Sequence, residues 1–314
     1  MNTRLKVTLI IIAVFYACNL FAQKAERKFI AINNTKIAYK TFNLDSRKKG
    51  EPIVIFEGGL GSGAGNFESI FPFLPQNITS FVYDRNGIGE SEVDDSIKTD
   101  ADVIRRLHTL LDTLKISPPY LLVGHSLGGP FIRLYASMYP DEVCGLVFID
   151  PTNFMLKKNE DEQVKKKSSS TTGYIDIWKI NLNSMSNDTS LPIGMRNEAK
   201  RELSESTPHF FKNYTSLAPL KDIPVTILIS YNKPTEPFEK KMNEDMKLGL
   251  NLVSWWKELD MLRIEHYTDM IKNNHNSSII LLPLYSHGIH NQDPKLVADA
   301  ISNTYDNCLK VLKK

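Results

Sequence analysis

Tyr120-Leu121-Leu122-Val123-Gly124-His125-Ser126-Leu127-Gly128-Gly129 is the stretch on which the reading of this chain turns. Four β-forming residues run into a glycine, one serine follows inside Gly-x-Ser-x-Gly, and small residues lead out. The pattern predicts a strand, a sharp turn and a helix start. This is the frame of a nucleophile elbow, in which the glycines on either side let a strained turn pass close to neighbouring backbone. Such a turn pushes the Ser126 hydroxyl out of the fold. Five residues are weak evidence alone, but the flanks agree. Phe131, Leu134, Tyr135 and Met138 fall on one helical face, and Pro130 lies in the first turn, where a missing N–H costs little.

Upstream, Ile53-Val54-Ile55-Phe56 is a continuous apolar run suited to a strand buried on both faces. It leads straight into Glu57-Gly58-Gly59-Leu60-Gly61-Ser62-Gly63-Ala64-Gly65, a loop whose amides could approach an anion or oxyanion closely. The glycine spacing does not fit a dinucleotide fingerprint, and a merely flexible loop is the plainer alternative. Ser80-Phe81-Val82-Tyr83 reads as the next strand. A helix capped by Thr99 or Asp100 then carries Val103, Ile104, Leu107, Leu110, Leu111 and Leu114 on one stripe, with Arg105, Arg106 and Asp112 turned away.

Downstream, Leu146-Val147-Phe148-Ile149 ends in Asp150-Pro151, and Val225–Ile229 and Ser278–Leu282 read as later strands. A hairpin over Lys28–Ile32 and Lys36–Lys40 precedes them all. Strands alternating with helices imply right-handed crossovers and a mostly parallel central sheet flanked by helices, an α/β fold. From 152 to 220 no buried-strand run occurs, and lysine-rich, solvated segments predict an inserted cap region, helical in pieces. Trp255 and Trp256, in a helical pattern reaching Ile271, read as packing residues. The core is therefore expected over 23–151 and 221–314, with the cap between.

At the amino end, Arg4 and Lys6 precede an apolar run from Val7 to Phe15, and a small residue stands at Ala22. This predicts a signal peptide over residues 1–22 and an exported protein, periplasmic or secreted. The run is shorter than the roughly 20 residues of a spanning helix, so no stable membrane span is expected after cleavage; an uncleaved anchor, or a lipoprotein cut before Cys18, is the alternative. Removing 1–22 takes away two basic residues and no acid, leaving 36 of each sign. A neutral chain gives no electrostatic case for nucleic acid. Of the two cysteines left, Cys144 reads as a small buried residue, and sequence separation alone does not pair it with Cys308.

A serine hydroxyl needs a base, and the base needs a group to orient it. His287 and His290 follow the last strand, where loops gather at the carboxyl edge with Ser126. Together these features resemble the α/β-hydrolases, specifically the large esterase, peptidase and dehalogenase-like group. The resemblance runs through Gly58-Gly59-Leu60, Asp84-Arg85-Asn86-Gly87-Ile88-Gly89-Glu90-Ser91, Gly124–Gly129, Tyr139-Pro140 with Leu146–Asp150, and the terminal histidine before Asp293-Pro294. It implies Ser126 as nucleophile, the amides of Leu60 and Leu127 as oxyanion hole, and His287 as base, with His290 as rival.

The family usually places its acid shortly after strand 225–229, yet Ser230-Tyr231-Asn232-Lys233-Pro234-Thr235-Glu236 offers lysine about there. Two substitutes remain: Asp150, where some lipases of this fold keep their acid, and Glu236, which could reach back from the usual loop. Asp150 is preferred. The implied activity is hydrolysis of a carboxylic ester, a small-molecule acyl substrate, with no cofactor. No metal is implied either, since His287-x-x-His290 lacks a third ligand at a recognisable spacing. A peptidase, lactonase or carbon–carbon hydrolase uses the same constellation. The missing usual acid also suggests, as an alternative of another class, a ligand-binding protein with weakened catalysis.

Overall fold

Apolar runs that alternate their side chains between two helical layers assemble into one eight-stranded sheet. The computed structural model describes residues 25–313, and the signal peptide expected over 1–22 lies outside them. The strands are β1 (Lys28–Ile32), β2 (Thr35–Phe42), β3 (Ile53–Glu57), β4 (Ser80–Tyr83), β5 (Tyr120–His125), β6 (Val143–Ile149), β7 (Val225–Tyr231) and β8 (Ser278–Pro283). Their spatial order is β1-β2-β4-β3-β5-β6-β7-β8. The hairpin β1–β2 runs antiparallel to its neighbours, and every pairing from β4 across to β8 is parallel. The α/β-hydrolase fold class expected from sequence is the fold observed.

The helices are α1 (Asp100–Thr113), α2 (Gly128–Met138), α3 (Lys158–Ser168), α4 (Tyr174–Asn187), α5 (Ile193–Glu205), α6 (Pro237–Asp245), α7 (Leu252–Ile271), α8 (Ile289–Gln292) and α9 (Pro294–Leu312). Because successive strand residues face opposite sides, the sheet has two cores. Ile53, Ile55, Leu122, Leu146, Phe148 and Ile227 pack with residues of α1, α2 and α7. Val54, Phe56, Val123, Val147, Ile149 and Leu228 pack against Val297, Ile301 and Tyr305 of α9. Strands buried on both faces must be apolar throughout, which is why these runs stood out in the sequence.

Thr99 caps α1: its hydroxyl accepts from the Asp102 amide at 3.2 Å, and the Asp102 carboxylate accepts from the Thr99 amide at 2.9 Å. One expectation for this helix fails. Arg106 does not turn to solvent but is buried, paired with the buried Asp94 and donating to Thr35 Oγ1 at 2.6 Å. A carboxylate in the loop after β4 provides the partner that makes burial of this guanidinium tolerable. Cys144 and Cys308 are both buried and unpaired, the Cys308 thiol donating to the Cys144 carbonyl at 3.0 Å. Among the described residues no helix is long and apolar enough to cross a membrane.

Leu146 is fully buried between β5 and β7. Leu146→Ala should lower the unfolding free energy by about 2–5 kcal/mol, the transfer and cavity cost of a buried leucine, read as a fall in the urea midpoint with unchanged slope.

Candidate active site

The turn after β5 carries the strain that its sequence predicts. Ser126 has φ 53°, in the left-handed region. Its amide donates to the Ile149 carbonyl at 3.1 Å, and its carbonyl accepts from the amides of Gly129 at 3.0 Å and Thr152 at 3.1 Å. A Cβ on Gly124 would run into the Gly128 carbonyl, and one on Gly128 into the Glu57 carbonyl. Both positions need glycine because backbone passes backbone there. The Gly58–Gly61 loop lies directly against the serine, since a Cβ on Gly59 would come within 3.2 Å of the Ser126 Cβ. Among the described residues, nothing accepts a hydrogen bond from the amide of Leu60 or Leu127.

Parallel pairing of β5 with β6 sets His125 opposite Ile149, so Asp150 leaves the sheet beside the elbow. Asp150 is buried, and its Oδ2 lies 2.6 Å from His287 Nδ1. Its other oxygen, Oδ1, accepts from the Ser230 amide and hydroxyl, both at 2.8 Å, and pairs with an Arg263 guanidinium nitrogen at 2.9 Å. Burial alone would raise the pKa of this carboxyl. The Arg263 charge, the His287 hydrogen bond and the Ser230 amide overcome that and hold it well below the usual carboxylate range. His287 is half exposed and leaves Nε2 as its free ring nitrogen.

Glu236, the other acid considered, is elsewhere. It precedes α6 and takes part in a capping box with Glu239, its amide donating to Glu239 Oε2 at 2.9 Å. His290 is buried, with its ring 4.4 Å from that of His125, and it does not line the cavity that holds Ser126.

His125, between the glycine and the serine of the elbow, has a role not seen in the sequence. Its Nε2 lies 3.1 Å from the His287 carbonyl, which can only accept, so Nε2 carries the proton and tethers the backbone of His287. Burial and then the neighbouring His287 and His290 lower the His125 pKa to about 3. Burial and His287 lower that of His290 to about 4.

Ser126, Asp150 and His287 open into one cavity of about 300 Å³. Its walls come from the 152–220 segment, with Leu156, Tyr174, Ile177 and Trp178, and from α7, with Trp255, Trp256 and Leu259. The two tryptophans thus pack, as expected, and also face the cavity. Arg263, one turn further along α7, could not be found by sequence reasoning, because helical spacing shows which face a residue occupies but not which distant carboxylate it meets. Asp260 on the same helix is buried 2.9 Å from Arg263; burial, opposed by Arg263 and aided by Asp150, pushes its carboxyl up to about 6. No group of three His, Cys, Asp or Glu side chains among the described residues is arranged to hold a metal ion.

His125 and His290 should stay neutral in the folded protein from pH 5.5 to 8, so their ring Cε1–H resonances should not titrate there; a midpoint near 6.5 for either would contradict their burial. Because both folded pKa values lie below the unfolded value of about 6.5, the unfolded chain takes up protons first. Their contribution therefore erodes stability as pH falls from about 6.5 towards 4.

Comparison with known proteins agrees with the fold. Residues 51–186 match a sequence family described as the alpha/beta hydrolase fold. The uncharacterized protein YqjL of Bacillus subtilis is 30% identical over 111 residues, covering 35% of this chain and 44% of that protein. Monoacylglycerol lipase ABHD6 of Homo sapiens is 28% identical over 145 residues, covering 45% and 42%. The chain thus spans less than half the length of these curated relatives. A thermophilic esterase from Thermogutta terrifontis superposes with a TM-score of 0.56 at 16% identity, over 90% of this chain and 99% of that one. With its sheet order and its glycine-flanked serine turn, the chain has the α/β-hydrolase fold, and its residues 51–186 carry that family's sequence pattern.

Proposed function

We propose that the chain is a serine hydrolase that cleaves a carboxylic ester, with Ser126 as nucleophile, His287 as base and Asp150 as acid. The observation that carries this reading is the 2.6 Å contact between Asp150 and His287 Nδ1 in the cavity that also holds Ser126. A carboxylate on Nδ1 fixes the ring and its tautomer, so Nε2 is left to take the serine proton. The alkoxide forming on Ser126 attacks the ester carbonyl. The unpartnered amides of Leu60 and Leu127 then receive the oxyanion. His287 returns the proton to the departing alcohol, and a water activated by the same nitrogen releases the acid. Asp150 remains ionised throughout the neutral range because Arg263 and Ser230 hold it so.

An ester is favoured over an amide, lactone or carbon–carbon bond by the activity for which relatives such as monoacylglycerol lipase ABHD6 are named, together with the mainly apolar side chains around the cavity. The helices of 152–220 act in this reading as a cap that shapes the acyl site. Export after cleavage near Ala22 belongs to the same proposal and rests on the charged, then apolar, amino end. Mass spectrometry of the mature chain should find it to begin near Gln23, and a full-length cytoplasmic product would refute export.

Ser126→Ala should abolish both hydrolysis of short and medium chromogenic esters and labelling by a fluorophosphonate; labelling that persists in this variant would overturn the mechanism. Asp150→Asn should lower kcat by about four orders of magnitude, as loss of the tautomer-fixing carboxylate does elsewhere. Glu236→Gln should leave kcat essentially unchanged, and the reverse ranking would move the acid to Glu236.

A further inference from the structure

The proposed oxyanion amide of Leu60 sits in a loop of five residues from Glu57 to Gly61, and glycine at three of these positions gives it little stiffness of its own. A turn, in which the Ser62 amide donates to the Gly59 carbonyl at 3.0 Å, and two buried side chains supply that stiffness. Arg85, which follows β4, donates to the Gly58 carbonyl at 2.7 Å and to the Gly59 carbonyl at 2.5 Å. It also pairs with Glu57 at 2.7 Å and with Glu198 at 2.8 Å. Glu198, on α5, in turn accepts from the Gly61 amide at 2.5 Å. Arg85 is 3% exposed and Glu198 2%, so neither is free to exchange these contacts for water.

The geometry of the peptide unit gives these contacts their meaning. The Gly59 carbonyl and the Leu60 N–H belong to one planar trans unit and point in opposite directions. A guanidinium holding that carbonyl therefore fixes the direction of the Leu60 N–H, and it polarises the unit so that the N–H is a stronger donor. The next unit carries the Gly61 N–H, and the Glu198 carboxylate holds it. With both flanking units pinned, Leu60 has its amide left over.

We infer that Glu198 and Arg85 are positioning residues for the oxyanion hole, and that helix α5 of the inserted segment, through Glu198, locks the Leu60 amide in its donor orientation. This deepens the hydrolase reading and rests on it. Arg85 stays charged because burial is outweighed by Glu198 and Glu57. Glu198 stays ionised because, against its burial, Arg85, Arg201 and the Gly61 amide hold its pKa below the usual value. The inserted segment thereby contributes to the chemical step as well as to the walls of the cavity.

The test compares wild type, Glu198→Ala and Glu198→Gln, with Ser126→Ala as reference, for ester turnover and for inhibition by an alkyl trifluoromethyl ketone, whose serine adduct places an oxyanion in the hole. Glu198→Ala should lose about 10- to 100-fold in kcat, approaching the loss of one oxyanion donor. Its KM should stay near wild type, and its affinity for the ketone should fall by a similar factor. Glu198→Gln, which can still accept from the Gly61 amide but cannot balance Arg85, should fall between the two. It carries the comparison by itself if the alanine variant does not fold. Wild-type kcat and ketone affinity in a folded variant, or a change confined to KM, overturns the inference while turnover abolished by Ser126→Ala leaves the hydrolase reading standing. Wild-type protein without Ser126-dependent turnover overturns both.

Discussion

Between β5 and α2 the backbone reverses within a few residues, and it does so by holding Ser126 at φ 53°, a conformation that costs a non-glycine residue about 1–3 kcal/mol. The cost is met by packing that no side chain could share: Gly128 lies against the Glu57 carbonyl, and Gly124 against the Gly128 carbonyl. Three backbone hydrogen bonds, to Ile149, Gly129 and Thr152, hold the turn against β6 and the segment after it. The same close approach brings the Gly58–Gly61 loop over the serine and sets Asp150 beside it. Strain at one residue is thus tied to the placement of two other parts of the site.

Charge in this site is arranged as an alternating series drawn from distant parts of the chain. His287 meets Asp150, Asp150 meets Arg263, and Arg263 meets Asp260. A carboxylate buried as Asp150 is would ordinarily take up a proton rather than remain charged. Four donors prevent that, one of them a guanidinium. Asp260 answers part of the arginine's charge, and its own carboxyl rises to about 6 because it is buried in doing so. Two charged residues of α7 thus stand behind the Asp150–His287 contact.

The sheet was legible because β3, β5, β6 and β7 are buried on both faces and must be apolar along their length, and the elbow was legible because only glycine fits where backbone crosses backbone. The histidine and the two rival acids could be named, but not ranked by physics, since sequence separation does not measure the distance between loop ends. Arg263 and Glu198 carried no signal. Helix α5, Ile193–Glu205, reads as a polar surface helix, yet Glu198, Arg201, Glu202 and Glu205 are all buried. Their compensating partners, Arg85 and Asp100, lie on other elements about a hundred residues away. Arg106 escaped for the same reason. A polar residue's burial depends on a partner that only the folded chain brings near.

The lysine that displaces the usual acid position has its own consequence. Asp150, at the end of β6, meets His287, and Lys233, in the loop after β7, stands in the cavity wall. There it pairs with the buried Glu239 at 2.7 Å and stands 3.7 Å from the centre of the Trp256 ring. A cation against an indole face is attracted to it, more strongly as water is excluded. Trp256 in turn packs on Trp255, with ring centres 4.9 Å apart, and so joins the loop to α7. The β7 loop thus helps to hold α7, and α7 is the helix that delivers Arg263 to Asp150.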